Sequence, residues 1–215
     1  MPAPRPTVAV PSTIWACGRD LPCRSDLWPA SILRRTVTEF SQPNAHVVLL
    51  AASPARQLAA RHARVALTDT DRSVSALTVK DSPPRPARGE VADLVIASLL
   101  PDPHTPPPGD IHTRLALAAA DLMRGGAILA VLTRCSHTPT GLLDDATGPV
   151  VAAAQSADLL YLSHIVALPL HDDTVTAPTA NDCLDEPRHH VVHIDVTVFL
   201  QPADQHQAAA LDHAA

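Results

Sequence analysis

Ser98 ends a segment that reads as a buried strand, Val91 to Ser98 (VADLVIAS), and is followed at once by Leu99, Leu100 and Pro101. A hydroxyl at the tip of a buried strand can accept a hydrogen bond from a ligand held above the sheet edge. Asp69 and Asp71 follow another short apolar run, Val65-Ala66-Leu67. An acid at a second strand tip is where open α/β folds hold a ribose. Asp81 follows Val79-Lys80 and precedes Ser82-Pro83, so it also reads as a turn former. Cys135 and His137, two apart on a strand, share a face as a nucleophile pair would, but no oxyanion loop accompanies them. His189, His190 and His193 offer imidazoles without an acid or cysteine at fixed ligand spacing, and Cys17 and Cys23 lack a matching second pair. The spacing therefore assigns no metal site.

These residues hang on an alternation of strands and helices. Val47 to Ala52 is apolar throughout, as a strand buried on both faces requires. Pro54 suits the first turn of the helix that follows, residues 55–62. The loop between them, AASPAR, contains no glycine, the residue that lets a backbone turn sharply and approach a cofactor. Val65–Leu67 reads as the second strand and Ser75–Val79 as a short third one. Helices are expected over 29–40, 110–123 and 147–157. Further strands are expected over 91–98, 127–133, 159–168 and 191–200, and proline-dense loops over 82–90 and 99–109. The last two strands have no clear helix between them, which predicts a terminal antiparallel hairpin. Residues 1–24 read as an extended arm with five prolines, 25–202 as one domain, and 203–215 as a loose tail.

Bulk composition narrows the function classes. The 215 residues can bury one full core. Aromatics are 2%, so few rings exist for stacking on bases. The net charge is −6, and Lys80 is the only lysine, so sequence-independent DNA binding is not favoured. The N-terminal MPAPRPTVAVP has no apolar stretch of a signal peptide, and no run approaches a membrane span. The expectation is a soluble, cytoplasmic protein with no membrane partner.

The order of these segments resembles the class I, S-adenosylmethionine-dependent DNA methyltransferases of the amino-methylating type, which modify cytosine N4 or adenine N6. The resemblance spans residues 12–202. Trp28-Pro29-Ala30 is similar to the family's HPA-type segment, ADLVIASLLP to its DLVITSPPY segment, and Leu122-Met123-Arg124-Gly125-Gly126 to its LLRPGG unit. The closing segments around Tyr161–Leu168 and Val196–Gln201 also fit in position. The resemblance implies a Rossmann-like, seven-stranded, mostly parallel sheet with helices on both faces, its seventh strand antiparallel between the fifth and sixth. It implies a catalytic position for Ser98. It implies cofactor contacts at Asp69, for the ribose, and at Asp81, near the adenine.

The departures fall on the chemistry. The family's first loop reads DPxxGxG; here Leu50 replaces the aspartate, and Pro54 and Arg56 replace the glycines. Leu99 and Leu100 replace the rigid Pro-Pro turn, and Pro101 replaces the ring that stacks on a flipped base. Two readings follow. One is a diverged methyltransferase-like protein with S-adenosylmethionine binding weak or lost, acting by binding a protein partner. The other is an active methyltransferase on DNA or a small molecule with an unorthodox cofactor loop. A dinucleotide-dependent oxidoreductase lacks its glycine fingerprint.

Overall fold

The computed structural model describes residues 13–18, 26–79, 91–101, 109–137, 140, 142–171, 174–175 and 193–203. The chain opens with β1 (Ile14–Ala16) and α1 (Ala30–Phe40). Then come β2 (His46–Ala51), α2 (Pro54–Ala63), β3 (Ser73–Thr78) and β4 (Ala92–Ser98). α3 (Ile111–Leu122) leads into β5 (Met123–Thr133). Two short strands, β6 (Ser136–His137) and β7 (Leu143–Asp144), pair with each other. α4 (Thr147–Ser156) and β8 (Leu160–Leu168) follow. A second short pair, β9 (Leu170–His171) with β10 (Thr174–Val175), precedes β11 (Ile194–Leu200).

The main sheet has seven strands in the order β1-β8-β11-β5-β4-β2-β3. β11 is antiparallel to both its neighbours, β5 and β8, and every other pairing is parallel. The antiparallel insertion between the fifth and sixth strands of the αβ series is the expected one. The membership of the seven differs. β1, inside the segment read as an arm, adds an edge beside β8, and Trp15 is buried there. At the opposite edge β3 is outermost among the described residues.

One strand assignment is corrected. Val65–Leu67 is not a strand: α2 runs on without a break into a single 3-10 turn over Arg64–Leu67. Three apolar residues after a helix end do not have the length to settle their own period. Leu67 packs inward while Val65 faces solvent, as a helical turn would place them. The second strand of the unit is instead β3, parallel to β2 from His46↔Ser73 to Ala51↔Thr78.

Helices cover both faces of the sheet. Ile32, Leu33 and Val37 of α1 and Ala60 of α2 pack on the face that includes Val47, Leu49, Leu94 and Ile96. Leu115, Ala119 and Leu122 of α3 and Val150 and Ala154 of α4 pack on the other, against Val48, Leu50, Val95 and Phe199. With few rings available, the core is close-packed Leu, Val, Ile and Ala. Gly125 is needed where the chain closes: a Cβ there would come within 2.9 Å of the Ala203 backbone. Among the described residues, no helix is long and apolar enough to cross a membrane.

Candidate functional site

The C-terminal ends of the parallel strands form one edge, where ligands of open α/β sheets bind. In register along it stand Ala51, Ser98 and Leu132 of β2, β4 and β5. Past β2 the chain turns through Ala52 and the extended Ser53, and Pro54 begins α2. Arg56 follows in the first turn, its backbone N–H bonded to the Ser53 carbonyl at 3.0 Å. The Arg56 side chain turns inward and is only 4% exposed. Its Nη1 donates to the Leu100 carbonyl at 3.0 Å. The guanidinium thus bridges the loop after β2 to the loop after β4. That is the gap in which the resemblance places the methionine end of the cofactor. A glycine loop leaves this gap open; a pyrrolidine and a buried guanidinium stand here instead.

Ser98 is buried, and its hydroxyl has two partners within the protein. It donates to the Leu27 carbonyl, tying the segment before α1 to the sheet. It also accepts from the Leu100 N–H at 3.4 Å. Leu99 extends the β4–β5 ladder through its N–H to the Leu132 carbonyl at 2.9 Å, and Leu100 is fully buried. One ladder hydrogen bond thus passes beyond the end of β4, at Leu99, where the resembled family has its rigid Pro-Pro turn. Three polar atoms of this edge, Trp28 Nε1, Ser53 Oγ and Thr133 Oγ1, are buried without a hydrogen-bond partner among the described residues.

Asp69 does not join this edge. It lies on the loop leading into the start of β3, two residues before Asp71, whose carbonyl accepts from the Asn44 N–H. With the strand at 65–67 replaced by a helical turn, no second-strand tip precedes Asp69. Its carboxylate pairs with Arg34 at 2.9 Å, and that hydrogen bond holds its pKa below the ordinary carboxylate value. Asp71 adopts a left-handed φ of 54°, as a turn residue does. Asp81 lies outside the described residues, as do Cys23, Cys183, His189 and His190.

A second group of side chains gathers farther along the same edge, where β5 ends and β11 begins. Thr133 pairs with Asp195, and Asp195 pairs with Val166 of β8. The Asp195 side chain is 3% exposed. His164 Nε2 bonds its Oδ1 at 2.8 Å, and His193 Nε2 is 3.4 Å from its Oδ2. Cys135 Sγ stands 3.9 Å from the same Oδ2. Burial alone would raise the Asp195 pKa; bonds to His193 and then His164 outweigh it and hold the carboxyl below its usual range. The Asp195 carboxylate raises the His193 pKa against the opposing effects of burial and Arg134. Cys135 is pushed up to about 11, first by burial and then by the carboxylates of Asp195 and Asp145. Sequence spacing did not assemble this group, because Cys135 and Asp195 are 60 positions apart. The one local signal was His193 and Asp195, two apart on an entering strand and so on one face.

No family model and no curated protein matches the sequence. Solved structures match it in shape. The [4+2]-cyclase SpnF superposes with a TM-score of 0.51 at 13% identity, covering 88% of this chain and 89% of that one. Geranyl diphosphate C-methyltransferase from Streptomyces coelicolor A3(2) gives 0.47 at 10% identity, covering 80% and 79%. A TehB-like SAM-dependent methyltransferase from Corynebacterium glutamicum ATCC 13032 gives 0.42 at 8%, covering 78% and 86%. Identities this low speak to fold alone. The strand order, the inserted antiparallel strand and the superposition on the cyclase agree: this chain has the class I methyltransferase fold.

Proposed function

We propose that this chain is a diverged relative of the amino-methylating DNA methyltransferases that has lost tight S-adenosylmethionine binding and acts by binding a protein partner. The observation that carries this reading is Arg56, buried and hydrogen-bonded to the Leu100 carbonyl across the cofactor gap. Ser98 supports it, since its hydroxyl is already engaged with Leu27 and Leu100. A base presented at this edge would meet Leu99 and Pro101, with neither a rigid turn nor a ring to hold it. The net charge of −6 gives little attraction to a duplex. A partner has apolar surface available: Leu160, Tyr161 and Leu162 of β8 are exposed, at about half their areas. Among the described residues β1 covers the outer side of β8 only from Val166 onward.

The test is transfer of labelled methyl from S-adenosylmethionine to mixed-sequence single- and double-stranded DNA, with Ser98→Ala as control. No transfer is expected from either protein. Robust transfer abolished by Ser98→Ala would replace this reading with an active DNA methyltransferase.

One observation favours the second reading, an active S-adenosylmethionine-dependent enzyme on a small molecule with an unorthodox loop. Trp28 Nε1, Ser53 Oγ and Thr133 Oγ1 are buried polar atoms that a bound ligand would satisfy.

A further inference from the structure

We propose that Cys135 Sγ, His193 Nε2 and Asp195 Oδ2 bind one divalent transition-metal ion, best matched by Zn2+, with a fourth coordination position for water or a substrate atom. This site stands apart from the cofactor gap, and neither proposal depends on the other.

The three ligand atoms all lie within 4.8 Å of one another. Tetrahedral zinc, with bonds of about 2.1 Å to nitrogen and oxygen and about 2.3 Å to sulfur, sets N···O edges of about 3.4 Å and S···O edges of about 3.6 Å. The measured separations are 3.4 Å for His193 Nε2 to Asp195 Oδ2 and 3.9 Å for Cys135 Sγ to the same oxygen. As a direct contact the His193 separation is long. A well-made N–H···O bond is shorter, about 2.7–3.2 Å. As edges of a coordination tetrahedron both separations need only small adjustment.

The carboxylate is arranged for such a role. Its Oδ1 is taken by His164 Nε2 at 2.8 Å, while Oδ2 is the atom that faces Cys135 and His193. An outer partner that fixes a ligand's orientation is a regular part of metal sites. Asp195 is set in the ladder between β5 and β8, so its position is rigid. Cys135 and His193 flank the strand ends and are half-buried, which gives an ion a path in from solvent.

The donor set chooses the metal. Calcium and magnesium take oxygen ligands, and a thiolate with an imidazole is foreign to them. Thiolate, imidazole and carboxylate together suit zinc and its neighbours. Three protein ligands plus one exchangeable position is the pattern of a reactive zinc rather than a purely structural one. The competing use of this group is a cysteine nucleophile. That requires a thiolate stabilised by positive surroundings. Cys135 instead faces the Asp195 carboxylate, its Sγ 3.9 Å from Oδ2. A cation is what those surroundings favour.

The experiment is titration of the metal-stripped full chain with Co2+, read by its thiolate-to-cobalt charge-transfer absorption, then displacement by Zn2+. One equivalent should give the band, and Zn2+ should abolish it. Cys135→Ser and His193→Gln should each lose the band while keeping the wild-type far-ultraviolet circular dichroism. His164→Gln should keep the band and weaken binding by about 10–100-fold. A protein with Cys17, Cys23 and Cys183 all changed to Ala should retain the band. No band in the wild type, a band that survives Cys135→Ser, or one lost in a folded triple variant would overturn the proposal. If the triple variant does not fold, wild type against Cys135→Ser decides alone.

Discussion

Arg56 and Ser98 both direct their hydrogen bonds at carbonyls of the protein itself, and that shared habit decides what this edge can do. The Ser98 hydroxyl donates to Leu27 and accepts from Leu100 inside a dry environment. Ser98→Ala should therefore lower stability by about 1–3 kcal/mol, the cost of leaving buried partners unsatisfied. Equilibrium urea unfolding measures it, and an unchanged midpoint would mean that the hydroxyl ties nothing down. Residue type was legible in the sequence: a hydroxyl at a strand end, a guanidinium where glycine is expected. Partners were not legible. Leu27 is 71 positions from Ser98 and Leu100 is 44 from Arg56, so only the folded chain brings them together. Asp69 shows the same limit, because its placement rested on a strand that is a helical turn. Asp69→Asn should remove the pair with Arg34 and leave any ligand affinity at the opposite strand ends unchanged, as a parallel titration would show.

Long, strongly patterned elements were readable and short ones were not. β2, β4, α1 and α3 appear within a residue or two of their expected bounds, because apolar runs of four to six residues or a repeated helical face leave one period standing. β1 is three residues long in a proline-broken stretch, too short to show alternation. Trp15 nevertheless anchors it: the indole is buried, 5.9 Å from the Phe40 ring and under the Arg35 guanidinium at 5.0 Å. Trp15→Ala should cost about 3–5 kcal/mol in chemical denaturation, as for other buried aromatic truncations. A loss under about 1 kcal/mol, the scale of most surface changes, would mean that the strand is only loosely attached.

The opposite, N-terminal ends of the strands are held by Asp93 at the start of β4. It accepts from the His46 N–H of β2 at 2.7 Å and from Arg124 Nε of β5. Burial works against its charge, but those hydrogen bonds prevail, and its pKa lies below the ordinary 3.8. A depressed folded-state pKa means stability that is present above the unfolded value and lost as pH falls through the folded one. Wild type should therefore lose stability more steeply than Asp93→Asn on acidification below about pH 5. Parallel acid-limb slopes would contradict the assignment.

At the scale of the whole molecule, the fold and the chemistry separate. A class I sheet with its antiparallel insertion is a scaffold, and the activity lives in loops placed on it. The order of strands and helices along the chain carried the scaffold, since a parallel sheet with one returning strand has few alternatives once connections are right-handed. The loops carry the departures, and these converge on the gap bridged by Arg56. The most direct measurement is calorimetric titration of the intact protein with S-adenosylmethionine, beside the Pro54→Gly, Arg56→Gly double variant. The account predicts weak or undetectable heat for the wild type and tighter binding once the loop is opened. A sub-micromolar dissociation constant for the wild-type chain would contradict it.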